Sequence, residues 1–532
     1  MKKFIKTIKS NKVLSVLSVL IIGLLFILVA RVTYAFLAPV INESQTNVVG
    51  TTDTVDDFKF ELGDALKLDA SPTTLKENGS NYSSSTTAKA LLKANSTKKT
   101  ATYNYYVYFQ IKSNTFKYSD GSTPEIILTI TSPNGDEITS IDGLTYGTFN
   151  GVSGFDITTK KGLFNITNNH EITSNSSTTY TTQEWNITLT YLNLSIDQSS
   201  NFGNSMGVNV YITKNEKKPT VADVCSDGQS LSSCIIAMDG KDDTLYHHTS
   251  ALANGAGDNS YRYAGASESV NNFVCFGSTT NPCPTDNLYR IIGVIDGKVK
   301  LIKYDYANSN LLGTDGDYFG AGEPDTYFYK GSLSSIDDYR WNYNNNTTIN
   351  NGKGSNEWST SLLNKTNLNT NYLNNIGTTW SNLIEDATWK VSGHTTYSVT
   401  PSEMYTAEIK NATKTYGPSD GTSKIGLMYA SDYGFAASPS AWTMTLSYTE
   451  SDNGYDSNAV RSVNWMYMGY VEWTITPHAS AIIYAFYLSN YGNLSGNFVK
   501  NGAGSRPVLY LKSSVLYAGG SGTKDSPITL VV

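Results

Sequence analysis

Between Ala101 and Lys112 the chain alternates in strict register. Ala101, Tyr103, Tyr105, Val107, Phe109 and Ile111 occupy one parity; Thr102, Asn104, Tyr106, Tyr108, Gln110 and Lys112 occupy the other. A period of two places successive side chains on opposite faces of a pleated strand, so this segment predicts a long strand with one face buried. Trp185-Ile187-Leu189-Tyr191 and Val208-Val210-Ile212 repeat the pattern, and Ile126–Ile130 runs into the turn signal Pro133-Asn134-Gly135-Asp136. Helical periodicity is scarce here; Thr87–Lys98 is the one stretch that reads as a short helix. An all-β sandwich over residues 56–216 is expected.

Ahead of it lies a different kind of segment. Lys2, Lys3, Lys6, Lys9 and Lys12 precede an uncharged, mostly aliphatic run of 18 residues, Val13 to Ala30. Basic residues before such a run hold the N-terminus in the cytoplasm and send the C-terminal remainder of the chain outside. The length suits a membrane anchor, which needs about 20 residues, and also a signal peptide, with Thr33-Tyr34-Ala35 offering small residues for cleavage before Phe36. Residues 1–35 are read as signal peptide or anchor and 36–55 as a linker. The chain is expected on the extracellular face of a bacterial membrane, single-pass with the N-terminus inside, or secreted.

Glu216-Lys217-Lys218-Pro219 is a polar break, after which composition changes. Seven of the eight tryptophans lie beyond residue 340 and all four cysteines beyond 220, which argues for a second domain over 222–532. Leu288–Ile295, Asp296-Gly297 and Lys298–Ile302 spell a hairpin with a type I′ turn. Trp358, Leu362, Leu363, Leu368, Tyr372 and Leu373 suggest one or two short amphipathic helices between Glu357 and Ile376. A closing strand, Pro507–Leu511, makes this region α+β.

Charged residues are only 16% of the chain, against roughly a quarter in an average soluble domain. The net charge is −7, and no Lys/Arg block occurs after the first dozen residues, so no nucleic-acid partner is expected. Four cysteines in an oxidising compartment favour disulfides, and Cys225–Cys234 with Cys275–Cys283 is the simplest of three connectivities because each closes a short loop. A metal site would need tighter cysteine spacing with nearby histidine, and His247 and His248, adjacent on a strand, point to opposite faces. Asp315-Gly316-Asp317 with Glu323-Pro324-Asp325 offers oxygen ligands for calcium but reads better as a solvated loop, so no cofactor is expected. The five histidines, His170, His247, His248, His394 and His478, sit in no triad-like context, and no GxSxG, HExxH or Walker loop occurs; the chain is not read as an enzyme.

Val32-Thr33-Tyr34-Ala35-Phe36, Thr100–Lys112, Phe155-Asp156-Ile157-Thr158 and Trp185–Thr190 together resemble the camelysin and biofilm-matrix fibre proteins of Gram-positive bacteria. That resemblance covers about residues 30–215 and implies a jelly-roll-like sandwich with a capacity for self-assembly; Arg31 departs from its usual signal peptide. Asn272–Gly277, Asp286–Val294, Trp358 with Ser361-Leu362-Leu363, Lys424–Gly434 and Ser505–Leu511 resemble the C-type-lectin-like fold, in the branch shared with formylglycine-generating enzymes and bacterial surface domains. The copper-binding cysteines of those enzymes have no counterpart, because no cysteine occurs after Cys283. Some members of this fold are variable proteins of diversity-generating retroelements, which vary a patch just before the terminal strand, here Trp473 to Gly504. The fold expected is an N-terminal transmembrane or signal helix, an all-β sandwich, then an α+β C-type-lectin-like domain.

The stretch from Tyr470 to Gly504 mixes Tyr, Ser, Asn and Gly, the palette of adaptable binding surfaces. It also matches the Asn- and Tyr-rich character of the whole chain, which is the ordinary-loop reading. Through the resemblance, His478, Ala481, Ile482, Ile483, Tyr487, Asn490, Asn493, Ser495, Asn497, Asn501 and Ala503 are expected to face outward as a ligand-binding surface. Trp473, Tyr484, Phe486, Phe498 and Val508 are expected inside. The function expected is adhesion, binding an unknown protein or glycan ligand. The alternative is a fibre-forming matrix protein that self-assembles through the sandwich, and hydrolysis is a third reading.

Overall fold

In the computed structural model the alternating segment is the strand Ala101–Asn114, with Tyr105, Val107, Phe109 and Ile111 buried. Tyr108 and Gln110, on the other parity, are buried as well, and the Lys217 backbone N–H donates to the Tyr108 hydroxyl at 2.8 Å. The middle of the strand is therefore covered on both faces. The structure describes residues 55–66, 80–411, 420–448 and 454–532, together with the backbone of Ala35–Pro39 and Leu68–Ala70. Residues 1–34 of the proposed transmembrane or signal segment lie outside these residues, among which no helix is long and apolar enough to cross a membrane. The chain divides into two compact units between Pro219 and Thr220.

The N-terminal unit is two six-stranded sheets. One runs His170–Ser174, Ala101–Asn114, Met206–Thr213, Ala35–Pro39, Leu68–Ala70, with Gly162–Asn165 also pairing to Ala101–Asn114. The other runs Asp57–Leu62, Tyr82–Lys93, Thr181–Tyr191, Ile126–Thr131, Val152–Asp156, Thr145–Phe149. One apolar cluster draws Phe109 and Val208 from the first sheet and Leu92, Leu128 and Trp185 from the second, which makes the unit sandwich-like. Two expectations change here. Thr87–Lys98 is not a helix: Tyr82–Lys93 pairs with Thr181–Tyr191 along its length, burying Ala88, Ala90 and Leu92 while Lys89 reaches Glu184 at 2.8 Å. Phe36–Pro39, read as linker, belongs to a strand parallel to Met206–Thr213.

In the C-terminal unit the main sheet runs Leu245–His248, Ser260–Tyr263, Leu288–Ile295, Lys298–Lys303, Val508–Tyr510, Ile425–Gly426, with Phe273–Cys275 also pairing to Leu288–Ile295. The central hairpin turns through Asp296 (φ 49°) and Gly297 (φ 72°), the left-handed pair that a type I′ turn requires. Both expected disulfides are present, Cys225–Cys234 and Cys275–Cys283, which fits an oxidising compartment. The amphipathic stretch forms a 3₁₀ turn at Trp358–Thr360, a π-helix at Leu363–Tyr372 and a helical segment at Leu373–Ser381 that is broken at Gly377 (φ 81°). The Val508–Tyr510 strand, expected to close the chain, is followed by the paired strands Tyr517–Gly519 and Thr529–Leu530; just before it, Arg506 donates twice to Glu472, at 2.7 and 2.8 Å, with both side chains buried. A separate three-stranded sheet, Glu472–Pro477, Tyr484–Leu488, Leu494–Phe498, carries the stretch predicted to bind.

Candidate functional site

Register decides which side chains of this sheet meet. Tyr484 opposes Phe498, Phe486 opposes Gly496 and Leu488 opposes Leu494 on one face; Ala485 opposes Asn497, and Tyr487 opposes both Ser495 and Trp473, on the other. The sheet is anchored by indoles: Trp473 Nε1 donates to the Tyr339 carbonyl at 2.7 Å, and Trp341 Nε1 to that of Thr474 at 2.8 Å. Both tryptophans are fully buried.

The predicted surface does not gather in one place. His478, Ala481, Ile482, Ile483, Tyr487, Asn490, Ser495, Asn497 and Asn501 are half-buried, while Asn493 and Ala503 are buried. Asn493 closes the turn between the last two strands, where Ser489 Oγ donates to its side-chain oxygen at 2.5 Å. Ala503 pairs with Tyr339 in another sheet. His478, Ile482 and Ile483 lie at the opposite end from Asn490 and Asn493, and Tyr487, Ser495 and Asn497 lie on the face away from Tyr484 and Phe486. Trp473, Phe486 and Val508 are buried as expected; Tyr484 and Phe498 are not.

What does assemble is a half-open aromatic shelf. The Tyr484 and Phe498 rings lie 4.4 Å apart, and the His478 ring is 5.3 Å from Phe486 and 6.4 Å from Tyr484. Tyr397, exposed, closes one side against Phe486 at 6.4 Å. Gly496 lies between, where an added Cβ would touch Tyr484 and His478 at 3.8 and 3.9 Å. Lys353 and Lys500 each hold Nζ 5.9 Å from the Phe498 ring centre, the outer limit of cation–π attraction.

The loop that carries His478 is held by Asn356. Its side-chain nitrogen donates to the carbonyls of His478, Ala481 and Tyr484 at 3.0, 3.2 and 2.9 Å, and its backbone N–H to that of Ile482 at 2.6 Å. Beneath the loop, Gly393 approaches so closely that a Cβ would stand 2.0 Å from the Pro477 carbonyl oxygen. Burial, and then the neighbouring His394, lower the His478 pKa. Ser480 N–H donates to His478 Nδ1, so the neutral ring presents Nε2–H as its remaining donor.

Compared with protein-family models, curated proteins and solved structures, the chain matches none.

Other sites read from sequence take structural parts. Asp317, expected in a solvated loop, is buried and accepts from the backbone N–H groups of Tyr343, Asn344, Leu362 and Leu363. Those four donors saturate the carboxylate, so it is not free for calcium. Among the described residues no group of His, Cys, Asp and Glu forms a metal cluster. His247 is half-buried, whereas His248 is buried with Nδ1 accepting from the Ala256 N–H at 2.9 Å. In the N-terminal unit a cavity of about 350 Å³ is formed by the Asn193–Gln198 loop and Phe202, and Gln198 bonds the buried Glu125 at 2.9 Å. Sequence reasoning missed Tyr484, Phe498, Gly496, Asn356, Lys353 and Lys500. Gly496 between aromatic residues of paired strands was a readable sign; Asn356, more than 120 residues from its partners, was not.

Proposed function

We infer that this chain is an extracellular ligand-binding protein, with a camelysin-like sandwich as stalk and a C-type-lectin-like unit presenting the ligand surface. The observation that carries the reading is the shelf of Tyr484, Phe498 and His478 on a loop held by Asn356. Adjacent open rings, a ring N–H donor and two flanking amines suit a sugar ring, whose C–H faces stack on aromatics while its hydroxyls bond the rim. Display at the membrane or secretion is inferred from the basic and apolar first 35 residues. The test is a glycan array and a protein array probed with the purified ectodomain. Replacing both Tyr484 and Phe498 by Ala is expected to weaken a hit by about tenfold or more, since two stacking contacts contribute about 2 kcal/mol. Blank arrays, or a hit indifferent to both substitutions, would overturn the reading.

One observation favours a second reading, assembly into fibres. The Ala35–Pro39 strand lies between Met206–Thr213 and Leu68–Ala70, parallel to the former. A parallel strand at this position can equally be supplied by a neighbouring copy, leaving a chain of sandwiches. Electron microscopy of the ectodomain with and without residues 36–39 tests this: filaments only with the segment present support assembly, and none in either form removes it.

A further inference from the structure

We propose that Lys300 and Asp432 become joined by an amide bond between Lys300 Nζ and Asp432 Cγ. Lys300 Nζ lies 2.5 Å from Asp432 Oδ2, with side chains 0% and 2% exposed. The two come from the Lys298–Lys303 strand and the Ala430–Phe435 helix, 132 residues apart in sequence. Rings of Tyr429, Tyr510 and Trp389 stand 4.5, 5.3 and 5.7 Å from the amine and exclude water. Such burial raises the free energy of an ammonium and a carboxylate, and condensation removes both charges.

The surroundings suit the reaction. Arg262 Nη1 donates to Asp432 Oδ1 at 3.0 Å, leaving Oδ2 to the amine and to the Tyr429 N–H at 3.0 Å. Arg262 also donates to Asp258 at 2.9 Å, so the remaining pair stays balanced once Lys300 and Asp432 are neutral. Glu408, fully buried, bonds the N–H groups of Ala430 and Ser431 in the same helical turn. Burial holds it near pH 7, which places a proton-exchanging group beside the pair.

The step balances without a co-reactant. A proton passes from Lys300 Nζ to Asp432 Oδ2, leaving a neutral amine and a neutral carboxyl. The nitrogen lone pair attacks Cγ, and the Arg262 guanidinium stabilises the charge that develops on Oδ1. A second proton moves from nitrogen to the Oδ2 hydroxyl, the Cγ–Oδ2 bond breaks and one water leaves. One proton stays on the amide nitrogen, and Oδ1 becomes the amide carbonyl oxygen. This cross-link is independent of any ligand function.

Mass spectrometry of the full chain, reduced and denatured, tests it. The wild type is expected to be lighter than its sequence by one water beyond the Lys300→Arg variant, in which no water is lost. A tryptic digest is expected to yield a branched peptide containing both Lys300 and Asp432. The wild-type protein gives the result whether or not the variant folds. A mass matching the uncross-linked sequence, with cleavage after Lys300 and a linear peptide bearing Asp432, overturns the proposal.

Discussion

Glu408 makes the stability of the C-terminal unit depend on pH in a direction opposite to that of most paired carboxylates. Its donors include the N–H of Ala430 at 3.0 Å, the N–H of Ser431 at 3.3 Å, the Thr476 hydroxyl at 2.5 Å and the Ser431 side chain. Those donors favour the anion, but burial outweighs them and raises the carboxyl from 4.5 to about 7. The native state therefore holds a proton that the unfolded state releases. Its stabilisation is complete below pH 4.5, fades as pH rises through 7 and is gone above that. Raising the carboxyl to about 7 corresponds to about 3 kcal/mol of pH-dependent stability. Glu408→Gln keeps the shape without the ionisation. Urea unfolding followed by tryptophan fluorescence reports chiefly the C-terminal unit, where seven of the eight tryptophans lie. The stability of wild type minus variant is expected to fall by about 3 kcal/mol between pH 4.5 and pH 8. Asp338, raised to about 6 by burial, and His248, lowered to about 3 by burial, titrate in both proteins and drop out of the difference. A difference that stays level with pH, or grows with it, would refute the argument that desolvation dominates the hydrogen-bond donors.

Asn356→Ala removes the three side-chain bonds that hold the shelf loop and leaves its carbonyls only their backbone donors, so the unit is expected to lose about 2–4 kcal/mol in urea denaturation. Any ligand binding should fall further than Tm alone explains. Trp473→Ala is expected to cost roughly 3–5 kcal/mol, because it empties a buried site and leaves the Tyr339 carbonyl without its donor. Replacing Cys225 and Cys234 by Ser should cost about 2–3 kcal/mol by the chain-entropy estimate for a loop this short. Non-reducing peptide mapping of the wild type should recover Cys225 with Cys234 and Cys275 with Cys283.

Local signals sufficed where neighbours in sequence are neighbours in space. The alternation from Ala101 to Ile111 could only be a strand, and Asp296-Gly297 between two apolar runs could only be a tight turn, since few residues tolerate two positive φ angles in succession. The disulfides were legible for the same reason: each closes a loop of fewer than ten residues. Thr87–Lys98 was misread as a helix because its own pattern is weak, and pairing of Tyr82–Lys93 with Thr181–Tyr191, about a hundred residues on, is what makes its first half a strand. The binding stretch was misread differently. Its residue types suit a surface, but tertiary position decides burial: Tyr484 and Phe498 are half-open at one end of the three-stranded sheet, Asn493 is buried in the turn at the other, and Ala503 is buried in a different sheet. Lys300 against Asp432 and Asn356 beneath His478 each join segments more than 120 residues apart. Composition and period determine whether a segment is a strand and which parity is apolar; which distant segment covers it, and so which polar groups lose water together, is set by tertiary packing.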